Sequence, residues 1–199
     1  MVITGGNAGI GYETAKDLSK RGAHIIILAR SLERAKQAAD DINNETGFPV
    51  DVIKLDLSAL QSVRECAAEL MERVEQVDIL INNAGMHATN TYVHKKKLGS
   101  YFIPGIMMFP QDKTEDGFDI QMGTNHLGHF LLTEMLMPLI MKSEASGFQP
   151  RIIILTSTAH TRGKINWHDF HFEGDSFDSF NVYAASKLAN LLHAKELAR

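Results

Sequence analysis

The stretch Thr4–Gly11, TGGNAGIG, stands between a short apolar run, Met1 to Ile3, and a helix-like segment that begins near Gly9. Its glycines at 5, 9 and 11 remove side chains where a strand must turn tightly into a helix, so backbone N–H groups can approach a pyrophosphate. The positive end of the helix then faces the anion. The spacing is G-x-x-x-G-x-G, not the common G-x-G-x-x-G, and taken alone it also admits a turn that serves only packing. The rest of the chain has to decide between the two.

Downstream, strand-like and helix-like segments alternate. Ala15 and Leu18 extend a helical face from Ile10, and Arg21-Gly22 ends it. Ala23 to Ala29 is apolar except for His24, as a strand buried on both faces should be. Ser31 is placed to N-cap a second helix through about Ile42, Val50 to Leu55 forms a third strand, and Ser58 opens a third helix. That helix sets Leu60, Val63, Cys66, Ala67, Leu70, Met71 and Val74 on one amphipathic face. Val77 to Asn82 is a fourth strand, Gly117 to about Lys142 holds a long apolar helix, Arg151 to Thr156 a fifth strand, and Val182 to Arg199 a last helix. The alternation predicts an α/β fold of the Rossmann type, a doubly wound parallel sheet with helices on both faces joined by right-handed crossovers.

The 199 residues, with 44% hydrophobic and 22% charged content, predict a single nucleotide-binding domain over residues 1–199 with a sizeable core. A net charge of -4 and the lack of a long basic block argue against a nucleic-acid surface, and the run Lys95 to Lys97 reads as a solvated loop. The lone cysteine, Cys66, has no internal disulfide partner, which fits an intracellular, reducing compartment. The most apolar stretch, Leu127 to Met141, is shorter than a bilayer span and carries Glu134 and Pro138, so no membrane span is expected in the chain and any tether would lie outside this fragment. Only three residues precede the glycine turn, and Arg199 closes a helix-like segment without a cap, so the expectation is a fragment truncated after the last helix.

In an open parallel sheet ligands bind beyond the carboxyl ends of the strands. After the second strand stands Arg30, where an NAD enzyme would place an acid on the adenosine 2′-hydroxyl; an arginine could pair with a 2′-phosphate, or simply be solvated. After the third come Asp56 and Leu57, where the carboxylate suits either an adenine amino group or a helix start. After the fourth come Asn82, Asn83, Ala84 and Gly85, and after the fifth Ser157. On the last helix Tyr183 and Lys187 are four apart and share a face. An ammonium beside a phenol favours the phenolate, so the pair could exchange a proton with a carbonyl or alcohol near neutral pH.

Taken together, TGGNAGIG, Asp56-Leu57, NNAG at Asn82 to Gly85, Asn125 in TNHLGHF, Ser157 in LTSTAH and Tyr183-Ala184-Ala185-Ser186-Lys187 resemble the short-chain dehydrogenase/reductase family in their order. KTEDGFDIQMGTNHLGHFLLT and YAASKLANLLHAKELAR are similar to its retinol-dehydrogenase-like branch. The resemblance implies that Tyr183 exchanges a proton with substrate oxygen, Lys187 lowers its pKa and binds the nicotinamide ribose, Ser157 rather than Thr156 hydrogen-bonds that oxygen, and Asn125 holds a relay water. It implies a cofactor site built from Gly5, Asn7, Gly9, Ile10, Gly11, Arg30, Asp56, Leu57, Asn83, Ala84, Gly85, Tyr183 and Lys187. With Arg30 in place of an acid, NADP(H) is preferred over NAD(H). The implied partner is a small apolar carbonyl or alcohol, retinoid- or steroid-like, and a homodimer through the fourth and fifth long helices. A catalytically inactive product that keeps weak nucleotide binding, or a partner-binding protein on the same fold, are the alternatives.

His126 and His129, like His168 and His171, sit at i, i+3, a spacing that could suit metal ligands. No third ligand converges in sequence and hydride transfer needs no metal, so structural roles and no metal site are expected. The apolar stripe Leu127, Phe130, Leu131, Met135 and Leu139 is expected to be core or subunit contact. Residues 86–105 stand outside the family pattern: without them Gly85 joins Ile106 and the text reads NNAGIMMFPQDKTEDGFD. Both junctions admit splice-site codons, so this stretch is expected to be a retained or mis-assigned intron, or at best a disordered loop after the fourth strand beside the cofactor cleft.

Overall fold

The apolar runs of the chain become five strands of one parallel sheet, seen in a computed structural model that describes residues 1–85, 111–173 and 177–199. They are β1 (Val2–Thr4), β2 (Ile25–Ala29), β3 (Val50–Lys54), β4 (Ile79–Asn82) and β5 (Arg151–Ile154). Their order across the sheet is β3-β2-β1-β4-β5, and every neighbouring pair is parallel. Because the first strand lies in the middle, successive strands are laid outward on one side of β1 and then on the other. A crevice opens where the winding reverses, at the carboxyl ends of β1 and β4. This is the Rossmann-type doubly wound sheet that the alternation predicts.

Alternate strand residues face opposite layers. Val2, Ile26, Leu28, Ile53 and Leu80 point into one core with α3 (Leu60–Arg73) and α5 (Gly128–Ala145). Ile3, Ile25, Ile27, Ile79 and Ile81 point into the other with α1 (Gly9–Lys20) and α2 (Leu32–Thr46). A third cluster joins Met122 to Ala185 and Ala189 of α6 (Ser179–Leu197).

Several helix details differ from the expectation. In α1 the buried line is Gly11, Ala15 and Ser19, at steps of four, so Ile10 lies one residue around the helix and is 70% exposed. Ser31 does cap α2, its Oγ accepting from Arg34 N, but the helix runs a turn further, to Gly47 in the left-handed conformation. Ser58 does not open α3. Its N–H and hydroxyl both donate to Asp56 Oδ1, Ala59 takes the cap position, and the first helical N–H, from Leu60, is satisfied by Asp116 Oδ2 at 2.8 Å. Met71 is 42% exposed, because the buried face of α3 drifts past it through Val63, Cys66, Ala67 and Leu70.

The long apolar helix is three pieces. Asp119 caps a single turn, α4 (Ile120–Met122), by accepting from Gln121 N and Met122 N; a π-helical segment, Gly123–Leu127, comes next; α5 then continues it. Gly117 sits earlier, in a turn with φ +85. The buried side of α5 is His129, Leu132, Thr133, Leu136, Leu139, Ile140 and Ser143, which leaves Phe130 of the expected stripe 42% exposed. The last helix starts three residues before Val182, where Asp178 accepts from Asn181 N, and ends at Leu197.

The expectation about residues 86–105 lies outside the described residues. Among the described residues no helix is long and apolar enough to cross a membrane.

Candidate active site

The glycine turn carries the chain from β1 into α1 at the switch point. Gly9 has φ +54, and a Cβ there would meet nothing within 4 Å, so its backbone faces open space. Gly11 is the opposite: a Cβ would lie 2.5 Å from both Gly5 O and Asn83 Nδ2, so only glycine lets the helix start this close to the next turn. Ala8 gives α1 no side-chain cap, and no acid stands in its first turn. The first N–H groups of α1, which no helix satisfies from within, and the helix dipole therefore suit an anion such as a pyrophosphate. Asn7 is half-buried, and Ile10 is exposed beside them.

Thr4 is the knot of the crevice. It is fully buried, and its Oγ1 accepts from Asn83 N at 3.0 Å and Ala84 N at 2.9 Å, while Asn83 Nδ2 donates to Thr4 O at 2.9 Å. The turn after β4 is thus fastened to the end of β1. Asn82 is directed away, donating to Thr133 Oγ1 of α5.

On the other side of that turn stands Lys187. A Cβ on Gly85 would lie 3.6 Å from both Lys187 Nζ and Asn125 Oδ1, so these three positions meet at one point. Lys187 is 6% exposed, and burial pulls its ammonium down to about 8. Its Nζ lies 5.6 Å from the Tyr183 ring centroid, within cation–π range, and reaches Leu155 O at 3.5 Å. Asn125, in the π-helical segment, is fully buried and donates through Nδ2 to Ser186 Oγ.

Beyond β5, Thr156 Oγ1 donates to Lys187 O at 2.7 Å, which commits its proton. Ser157 Oγ instead accepts from Ala159 N at 3.2 Å at the head of a 3-10 turn, Thr158–Arg162. That turn lies close on α6: a Cβ on Gly163 would come within 2.4 Å of Ala184 O. The structure therefore brings Gly85, Asn125 and Lys187 together, with Tyr183 and the β5 end beside them.

Arg30 and Asp56 come after the neighbouring strands β2 and β3. Arg30 is exposed and forms no ion pair among the described residues. Asp56 Oδ1 is occupied by Ser58, as a helix-start residue would be, while the Leu57 side chain is buried in the core and leaves only its backbone to a ligand.

Sequence reasoning passed over Thr4, Ser186 and Asn190. Asn190 donates to Leu155 O and pairs with His126 Nδ1, bracing the end of β5. A buried hydroxyl ending an apolar strand was the available signal for Thr4; nothing in one sequence marks the other two. The histidines divide. His126 and His129 are packed within the fold, whereas His171 stacks on Phe118 in a loop. Among the described residues no group of three potential metal ligands occurs.

The short chain dehydrogenase family model matches residues 1–199. Human "Retinol dehydrogenase 13" is 42% identical over 200 residues, covering 100% of this chain and 53% of that protein. Mouse "Retinol dehydrogenase 11" is 40% identical over 200 residues, covering 100% of this chain and 55% of that protein. This chain thus spans about half the length of the curated relatives it matches. Among solved structures, an uncharacterised protein from Mycobacterium paratuberculosis superposes with TM-score 0.74 at 37% identity, covering 98% of this chain and 60% of that one. The Pseudomonas aeruginosa RhlG/NADP active-site complex superposes with TM-score 0.70 at 26% identity, covering 99% and 64%.

Proposed function

This chain belongs to the short-chain dehydrogenase family, and from that premise we propose that it is the nucleotide-binding and proton-handling part of an oxidoreductase, moving hydride between NADP(H) and a small apolar carbonyl or alcohol. In this reading residues 1–199 form one domain. The observation that carries it is the meeting of Gly85, Asn125 and Lys187 at the switch point, beside Tyr183. The names of the curated relatives support a retinoid as the substrate class.

The nicotinamide, when bound, supplies the hydride. Gly5, Asn7, Gly9, Ile10 and Gly11 would hold the pyrophosphate, Asp56 and the Leu57 backbone the adenine, and Asn83, Ala84 and Gly85 the nicotinamide ribose. Tyr183 gives or takes the proton at substrate oxygen, and Ser157 donates a hydrogen bond to the same atom. Lys187 reaches the ribose, and Asn125 holds the water that refills the proton. The exposed Arg30, without an ion pair among the described residues, supports a 2′-phosphate and hence NADP(H) over NAD(H).

Fluorescence titration tests the cofactor choice. NADPH should bind more tightly than NADH, and Arg30→Ala should erase the difference; equal affinities in the unaltered chain would sink it. Assay with a retinoid aldehyde tests the chemistry. Tyr183→Phe should abolish turnover and keep NADPH affinity, whereas Lys187→Ala should harm both; substantial activity in Tyr183→Phe overturns the assignment. Because the chain spans about half the length of its curated relatives, a second reading is that it holds nucleotide without turning substrate over. NADPH binding with no turnover would favour that reading.

A further inference from the structure

His129 is used by none of these roles, yet it is 2% exposed and lies between the two halves of the site. Its Nδ1 is 3.1 Å from Asn125 O and its Nε2 is 2.8 Å from Thr4 Oγ1. A carbonyl only accepts, so Nδ1 carries the hydrogen. Thr4 Oγ1 already accepts the N–H of Ala84 and shares that of Asn83 with Ile81 O, so both its lone pairs are engaged. A proton on Nε2 would force a third donor onto that oxygen and leave the threonine hydrogen only Ile81 O, at 3.5 Å. The satisfied arrangement is a neutral ring, Nδ1–H donating to Asn125 O and Thr4 O–H donating to a bare Nε2. Every hydrogen and lone pair then has a partner. Burial with Lys187, His126 and His193 nearby opposes a charge on this ring, in agreement.

Resting on the proposed oxidoreductase function, we propose that His129 is a positioning residue: as a neutral Nδ1–H imidazole it fixes the backbone of Asn125 against Thr4, and through Thr4 against the Asn83–Gly85 turn. It thereby sets the spacing between the residues that hold the nucleotide and those that handle the proton. The chain of bonds runs Asn125 O, His129, Thr4 Oγ1, then Asn83 N and Ala84 N, across the crevice from helix to sheet. One ring fastens two site segments that are far apart in sequence.

The tautomer is open to a direct look in the unaltered chain. Nitrogen NMR of the histidine-labelled protein should show one imidazole protonated at Nδ1 that does not titrate between pH 7.5 and pH 5; an Nε2–H ring at this position, or ordinary titration near pH ~6.5, overturns the proposal. His129→Phe fills the space but cannot bond, so amide-exchange protection at Asn83 and Ala84 should fall about tenfold, and NADPH affinity by a similar factor. His129→Gln, which can both donate and accept, should restore most of each. Unchanged protection in the Phe variant, or equal loss in both variants, refutes a positioning role. If the unaltered chain binds no NADPH, the functional reading fails by itself, while the tautomer and amide exchange still decide the brace.

Discussion

Lys187 sets stability against use. Burial alone lowers its ammonium to about 8 from an ordinary 10.5, so the unfolded chain holds this proton more tightly than the folded one. Stability is therefore diminished below pH ~8 and recovers as pH rises towards ~10.5, the full difference being about 3 kcal/mol. Lys187→Met should raise stability at pH 7 by about 1–3 kcal/mol in urea unfolding while removing NADPH binding, and the gain should vanish towards pH ~10. A Met variant less stable than its parent at pH 7 would mean that the lysine is held by more than the long contact to Leu155 O. His129 works in the acid range. Held at about 4 instead of 6.5, its neutral form contributes stability that is complete above pH ~6.5 and is lost as pH falls towards ~4. Between pH 7.5 and pH 5 the unaltered chain should lose about 2 kcal/mol more than His129→Gln, as read by urea midpoints at the two pH values. Cys66, in contrast, is pushed up to about 12 by burial and should be inert to thiol reagents until the fold opens.

At the scale of elements, α5 is seated by a glycine. A Cβ on Gly128 would lie 2.5 Å from Leu57 O and 3.1 Å from the Leu57 side chain, so the helix meets the end of β3 with no room to spare. Alanine would add about 1 kcal/mol of helix propensity, but overpacking against a backbone carbonyl costs about 1–3 kcal/mol and displaces the Asn125 segment just before it. Gly128→Ala should thus destabilise by up to about 2 kcal/mol net and weaken NADPH binding, measured together by thermal unfolding and titration; a more stable variant with full affinity would show that Leu57 yields. Sequence patterns foretold this architecture where local chemistry and tertiary demand agree. The apolar runs are the strands, Ser31 caps α2, and Tyr183 and Lys187 do share a helical face. They failed where a distant residue intervenes. Asp116 supplies the first N–H of α3 with an acceptor, so Ser58 is released to a turn on Asp56. The π-helical segment that carries Asn125 has no periodic mark, since its five residues fit an α-helix equally well on paper. Thr4 and His129 were readable only as a polar strand end and one of a histidine pair; their function as a brace exists in three dimensions alone.

For the molecule as a whole, the winding of the sheet leaves two kinds of surface. The carboxyl ends of β1 and β4 form the crevice proposed to hold the nucleotide, while the outer faces of α5 and α6 bound an open apolar groove of about 710 Å³ lined by His126, Phe130, Trp167, Leu192 and His193, among others. None of Ser157, Tyr183, Lys187 or the glycine turn lines it, so it is separate from the chemistry. Phe130 is 42% exposed, Leu192 47% and Trp167 77%, a concentration of large apolar groups that a lone soluble domain seldom leaves in water. Its border carries both signs, Glu134 and Glu196 with Lys195 and Arg199. Glu196 and Arg199 pair within the chain, and in a twofold contact Glu134 of one copy can meet Lys195 of the other. The homodimer through these two helices that the family resemblance implies is expected to seat on this face. Light scattering at tens of micromolar should give twice the single-chain mass, and Phe130→Glu with Leu192→Glu should return it to one chain, since burying a carboxylate in an apolar contact costs several kcal/mol. NADPH affinity should be unchanged by that pair of substitutions, because the crevice lies elsewhere. A single-chain mass for the unaltered protein, or a dimer that survives both glutamates, would move the apolar face out of any contact between copies.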